Sequence, residues 1–269
     1  MRGILLVAVS CAILLACAPV AAGQHPPIYN IPPENCPQTS NDIVGTEGND
    51  LRGGTPLNDL MLGFGGDDLY EGESGDDCLV MGANNDRGNG GEGNDTLFGD
   101  DGIDRLGGND ADDTLIGGPE RDYLNGGDGN DRLSGQEGDD QITAGNGRDR
   151  ASGGVGDDML SMGGAVDRAT GGSGSDAVFG GPQNDRLDGS PGDDTVKGNS
   201  GNDIVRGGSG DDRVSGGDGR DRVFGGSGDD RVAVRDGERD RVDCGSGQDR
   251  VTADRRDRIA RNCESVKRR

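Results

Sequence analysis

The sequence predicts an all-β chain, a parallel β-roll solenoid built from nine-residue repeats, and three observations predict it. The first is a period. Stepping by nine from Asp50 meets Asp at every step through Asp230, 21 consecutive hits in a chain with 42 Asp among 269 residues. A random step would meet Asp about once in six, so the period belongs to the architecture. The second is the company the Asp keeps. Glycine dominates five, four and two residues before it, and an aliphatic residue stands two after it, as at Leu97, Leu106, Leu115, Leu124, Leu133 and Ile142, then Val196, Val205, Val214, Val223 and Val232. The third is composition: 55 Gly, no Trp, 29% hydrophobic residues and a formal net charge of -24. Chains this polar bury too little apolar surface to offset the entropy of ordering, so an ordinary globular core is excluded and folding needs a further source of free energy.

The unit reads Gly-Gly-x-Gly-x-Asp-x-aliphatic-x. Glycines permit positive φ and convergent carbonyls, so the first six residues are expected to form a tight turn. The last three are expected to form a very short strand, its middle side chain pointing inward and its neighbours outward. One inward aliphatic per unit makes a thin core. Two units complete a coil, so residue i lies beneath residue i+18, and residues 45–235 give about ten coils.

Stacking at this spacing brings carboxylates on one edge, such as Asp212 and Asp230, within a few ångströms of each other. Such an arrangement is unfavourable without a cation between them. Ca²⁺ accepts six to eight oxygens in flexible geometry, and a glycine turn supplies carbonyls while Asp supplies charge. Mg²⁺, which demands a stricter octahedron, fits less well. The short arm of Asp suits an ion held inside its own turn.

Three copies show the pattern in full: Gly90-Gly91-Glu92-Gly93-Asn94-Asp95-Thr96-Leu97, Gly126-Gly127-Asp128-Gly129-Asn130-Asp131-Arg132-Leu133 and Gly207-Gly208-Ser209-Gly210-Asp211-Asp212-Arg213-Val214. They resemble the nonapeptide repeat of the RTX, or haemolysin-type calcium-binding, family, and the resemblance covers about residues 45 to 235. It implies a β-roll that holds Ca²⁺ between stacked turns through the motif Asp and turn carbonyls. Carried over by position, it names Asp95, Asp131, Asp158, Asp176, Asp203, Asp212, Asp221 and Asp230 as metal ligands. All but Asp203 stand in a complete motif. The turns before Asp122, Asp167 and Asp185 lack the third glycine, which puts ion sites there in doubt, and Arg87-Gly88 lacks the inward aliphatic. The family's exported toxins and proteases usually carry an uncleaved C-terminal secretion signal, which is not the export route this N-terminus suggests.

Residues 1–22 read as a cleaved signal peptide: Arg2, an apolar run from Ile4 to Leu15, and the small residues Val20-Ala21-Ala22. The run is too short to span a bilayer comfortably and no second one follows, so no membrane span is expected. The mature chain is then secreted or extracellular, with lipid anchoring through Cys17 as an alternative because Leu14-Leu15-Ala16-Cys17 resembles a lipobox. Residues 23–44, with Pro26, Pro27, Pro32, Pro33 and Pro37, read as a leader and N-terminal cap, strand pairing starting near Ile43. From Asp236 the phase slips and residues 236–269 read as a C-terminal cap ending in a basic tail, which discourages end-to-end stacking. Cys36, Cys78, Cys244 and Cys263 make an even set in an oxidising compartment. Of three pairings, Cys36–Cys78 and Cys244–Cys263 are the local ones, each stapling one end.

Acidity disfavours nucleic acid and anionic membranes as partners and favours calcium ions. The sole histidine is His25, in the leader, so histidine-based catalysis has no basis and no enzyme activity is expected. Two non-enzymatic readings remain: a calcium-stabilised structural module, and a calcium-dependent extracellular adhesin that binds surface polysaccharide or other extracellular matrix. Arg132, Arg150, Arg168 and Arg186, spaced by 18, are expected to form an outward ladder that balances the acidic turns, the alternative being a binding stripe for an anionic polymer such as a surface polysaccharide.

Overall fold

A computed structural model describes Cys36 and residues 41–268. The signal segment, Cys17 and His25 lie outside the described residues. Among those described, no helix is long and apolar enough to cross a membrane. Two parallel 13-stranded sheets carry alternate strands, odd in one and even in the other. The register is that of an 18-residue coil: Leu133 pairs with Ala151, and Val196 with Val214. The parallel β-roll is therefore the fold, with 13 coils where the phase argument counted about ten. Pairing starts at Asn41–Val44 and continues past residue 235 to Ser265–Arg268, because coil length adjusts where the phase is lost, to 17 residues between Arg241 and Arg258 and 15 between Arg250 and Ser265. Val223 pairs with Val242, 19 residues on, and both sheets carry through.

Strands are twice as long as the short ones the unit suggested. A typical one, Arg213–Asp218, runs six residues and alternates exposed and buried positions. The three residues after the motif Asp are extended, and so are the next three, which include the first two glycines. The reason is steric. A Cβ on Gly207 would lie against Asp212 Oδ2 and 2.6 Å from the Gly225 carbonyl of the next coil, so the first glycine is an extended inward residue that leaves room for the carboxylate.

The core is built of inward side chains from both sheets, running from Met61 and Tyr70 to Val251, each at most 6% exposed. Gly88 breaks the run without leaving a void, since a Cβ there would already meet Met81 Sδ at 3.1 Å. Met81, standing where most units have their first glycine, fills the space that Gly88 vacates. Both ends are stapled as the local pairing proposed: Cys36 bonds Cys78 and Cys244 bonds Cys263, with Cα–Cα distances of 5.5 and 5.3 Å.

The second and third glycines do require positive φ, as at Gly208 (+128°) and Gly210 (+130°). Units without them keep the same backbone: Glu120, Ala165 and Gln183 replace the third glycine at φ 74°, 87° and 81°. Alanine has no side-chain hydrogen bond to support this region, which costs an L-residue about 1–2 kcal/mol. Ala165→Gly, and Ala111→Gly at the same position before Asp113 (φ 80°), should each stabilise the roll by about 0.5–1 kcal/mol after the entropy of the freer unfolded chain is subtracted. Urea unfolding in saturating calcium reads this directly, and an unchanged or lowered midpoint contradicts it.

Candidate metal centre

Each motif Asp follows a turn and precedes a strand, and its side chain turns back into the coil. Asp203, Asp212, Asp221 and Asp230 are at most 1% exposed. One oxygen is committed along the stack. The Asp194 amide donates to Asp212 Oδ1 (2.9 Å), the Asp203 amide to Asp221 Oδ1 (2.8 Å) and the Asp212 amide to Asp230 Oδ1 (3.0 Å). The ladder starts with the Asp50 amide on Asp68 and survives the loss of phase, where the Asp221 amide reaches Asp240 and the Asp230 amide reaches Asp249.

The other oxygen has no partner. Oδ2 is buried and without a hydrogen bond at every motif Asp from Asp68 to Asp249, which includes all eight candidate ligands. A buried carboxylate oxygen with nothing to accept is among the more expensive features a fold can carry. Burial accordingly pushes these carboxyls up, with the amide bond from the coil before opposing it. Asp158 and Asp212 rise to about 7, and Asp95, Asp131, Asp203, Asp221 and Asp230 to about 6. Asp176 is raised by the same cause. Repulsion between neighbouring rungs, the effect emphasised in the sequence, contributes to several of them but ranks below burial, as for Asp212 beside Asp230 and Asp194.

The donor set suits a hard cation. Turn backbones press on each other so closely that a Cβ on Gly226 or Gly228 would overlap the Gly208 or Gly210 carbonyl oxygen. Carboxylate and carbonyl oxygens are what Ca²⁺ prefers. Among the described residues no three His, Cys, Asp or Glu side chains gather into a site, so turn carbonyls or water would complete a coordination shell. When bound, Ca²⁺ would supply the positive partner that the carboxylate Oδ2 lacks.

The two ends are built differently, which the sequence reading missed. At Asp59 the Thr55 amide and hydroxyl both donate to Oδ2, at 2.5 and 3.1 Å. At Asp50 the Thr46 amide and hydroxyl do the same, at 2.6 and 2.9 Å. Threonine stands where the second glycine belongs. At the other end the Asp254 amide donates to Asp257 Oδ2 (2.6 Å), and Glu264 accepts from the Asp249 amide (3.0 Å). Protein donors thus close the first and last rungs, and unpartnered oxygens begin and end between them. A second ladder was also missed. The residue before the motif Asp, when Asn or Asp, accepts the amide of the coil above, as Asn184 does from Asn202 and Asp211 from Asp229, opposite in sense to the main ladder.

A family model of the RTX calcium-binding nonapeptide repeat matches residues 57–78, 82–110, 107–142, 125–160, 134–169, 162–196 and 197–232. These segments cover more than half of the chain. The chain belongs to the RTX calcium-binding repeat family. No curated protein matches it. Within this RTX roll, Asp240 and Asp249 lie beyond the matched residues yet carry the same unpartnered oxygen. Their motifs are out of phase, so stepping by nine does not find them. The RTX turns that lack the third glycine place Asp122, Asp167 and Asp185 in the same environment as the complete ones, and burial raises Asp122 to about 8.

Proposed function

We propose that the chain is an exported calcium-stabilised structural module, in which calcium ions between successive turns make folding favourable outside the cell, and that it catalyses no reaction. The observation that carries the reading is the file of buried, unpartnered Oδ2 atoms from Asp68 to Asp249. Two disulfides and the signal-like residues 1–22 support export, since both suit an oxidising, calcium-rich compartment. Asp95, Asp131, Asp158, Asp176, Asp203, Asp212, Asp221 and Asp230 are the proposed ligands.

The test is calorimetric titration of calcium into single variants. Asp212→Ala removes an unpartnered oxygen from a run of complete motifs and should lose at least one bound ion per chain. Asp122→Ala should lose a comparable amount, because its Oδ2 is buried and unpartnered like that of Asp212 although Glu120 replaces the third glycine. Asp59→Ala should leave calcium uptake unchanged, because Thr55 already satisfies that carboxylate. Equal losses in Asp59→Ala and Asp212→Ala would contradict the assignment of the oxygen to calcium.

A second reading, a calcium-dependent adhesin for extracellular polysaccharide, is favoured by the arginine ladder. Arg132 pairs with Arg150, Arg150 with Arg168 and Arg168 with Arg186, all exposed. Among the described residues the ion pairs are Arg52–Asp50, Arg121–Asp139 and Arg220–Glu238, so none of the four ladder arginines is neutralised by a turn carboxylate at contact distance.

A further inference from the structure

At the C-terminal end of the odd-strand sheet, Arg222 pairs with Arg241 and Arg241 with Arg258, three guanidinium groups on successive rungs. Parallel strands are about 4.8 Å apart, so these like charges repel at close range. Arg220 and Arg239 come from the adjoining turns, and the five arginines with Asp221 line one cavity of about 400 Å³. Such a concentration is unexpected in a chain with a net charge of -24.

The local carboxylates do not neutralise it. Glu238 reaches Arg220 at 3.5 Å and pairs with no other arginine. Asp221 is 1% exposed, its Oδ1 taken by the Asp203 amide, and its Oδ2 faces the proposed calcium position. Asp236 accepts the Gly219 amide at 2.6 Å. Four guanidinium groups therefore line the cavity without a carboxylate in contact. Arg222 additionally lies over the Phe224 ring, 5.7 Å from its centroid, which restricts its side chain.

The geometry points to an oxyanion-binding site formed by Arg222, Arg241 and Arg258 on the strands and Arg220 and Arg239 on the turns, taking sulfate- or phosphate-type groups. Guanidinium forks bind such groups through paired, charge-assisted hydrogen bonds. Rungs at sheet spacing suit several groups carried on one chain, so the occupant is a sulfated polysaccharide segment rather than a lone ion. The site itself needs only the folded roll, and the polymer rests on the adhesin reading.

The test uses the full mature chain in saturating calcium, with circular dichroism confirming the fold of every sample. Calorimetry is run with sodium sulfate and with a heparin hexasaccharide, near physiological ionic strength. The variant is Arg222→Gln with Arg241→Gln, since Gln141 occupies the equivalent outward position elsewhere in the roll. The control, Arg213→Gln with Arg231→Gln on adjacent rungs of the opposite sheet, removes equal charge outside both the cavity and the Arg132–Arg186 ladder. The hexasaccharide should bind, the pocket variant should lose at least about tenfold in affinity, and the control should change by no more than about twofold. Binding of sulfate alone, lost in the pocket variant, keeps the oxyanion site and removes the polymer and with it the adhesin reading. No binding of either probe, or equal losses in both variants, overturns the site. A calcium-loaded chain without β structure would instead count against the calcium reading.

Discussion

Moving the calcium-loaded chain into chelator at neutral pH is expected to abolish its β spectrum. The reason is the Oδ2 file. Each motif Asp from Asp68 to Asp249 buries an oxygen that no protein group satisfies, and an ionised carboxylate in that position opposes folding. Against this stands a thin core, in which most units bury one inward side chain, only Ala at Ala151 and Ala169, and a few bury a second, as at Met81 and Met162. A core this thin does not offset repeated burial of charge, so ion binding and folding should be one event. The Cys36–Cys78 and Cys244–Cys263 bridges constrain the ends and leave the carboxylates between them unaided. Far-ultraviolet circular dichroism should show loss of β structure in chelator and its return in millimolar Ca²⁺.

Protons should replace calcium in part. The folded chain holds these carboxyls above their ordinary value of 3.8, with Asp86 and Asp113 at about 8 and Asp77, Asp104, Asp185 and Asp212 at about 7, burial being the first cause. A group whose folded value is raised stabilises the fold below its unfolded value and loses that contribution as pH rises through the folded one. Without calcium, the roll should therefore be favoured near pH 4 and destabilised as pH climbs through 6 to 8, the range of the raised groups. A dichroism series in chelator across that window, at low protein concentration, checks the sign. Structure that increases with pH in the absence of calcium would contradict it.

Much of this was legible because it repeats. The Asp period gave the 18-residue coil, the aliphatic after it gave the core, and end-localised cysteines gave both bridges. What a single unit hides is set by its neighbours. Strand length depends on Gly207 leaving space for Asp212 and the next coil's carbonyl, a contact between units. Met81 compensates for Gly88 from another position of the repeat. Asp240 and Asp249 rejoin the ladder only because the sheets absorb a 19-residue step. Thr46 and Thr55 did leave a signal, a hydroxyl residue in place of the second glycine, but only the bond to Oδ2 shows that it substitutes for a cation.

The most direct test measures bound calcium and β structure in the same samples. Equilibrium dialysis across a calcium series at neutral pH gives ions bound per chain, and dichroism of each dialysed sample gives the folded fraction. The account predicts several ions per chain, taken up cooperatively, with the two curves superimposed. A full β spectrum in samples with no bound calcium, or calcium uptake that leaves the spectrum unchanged, would contradict it.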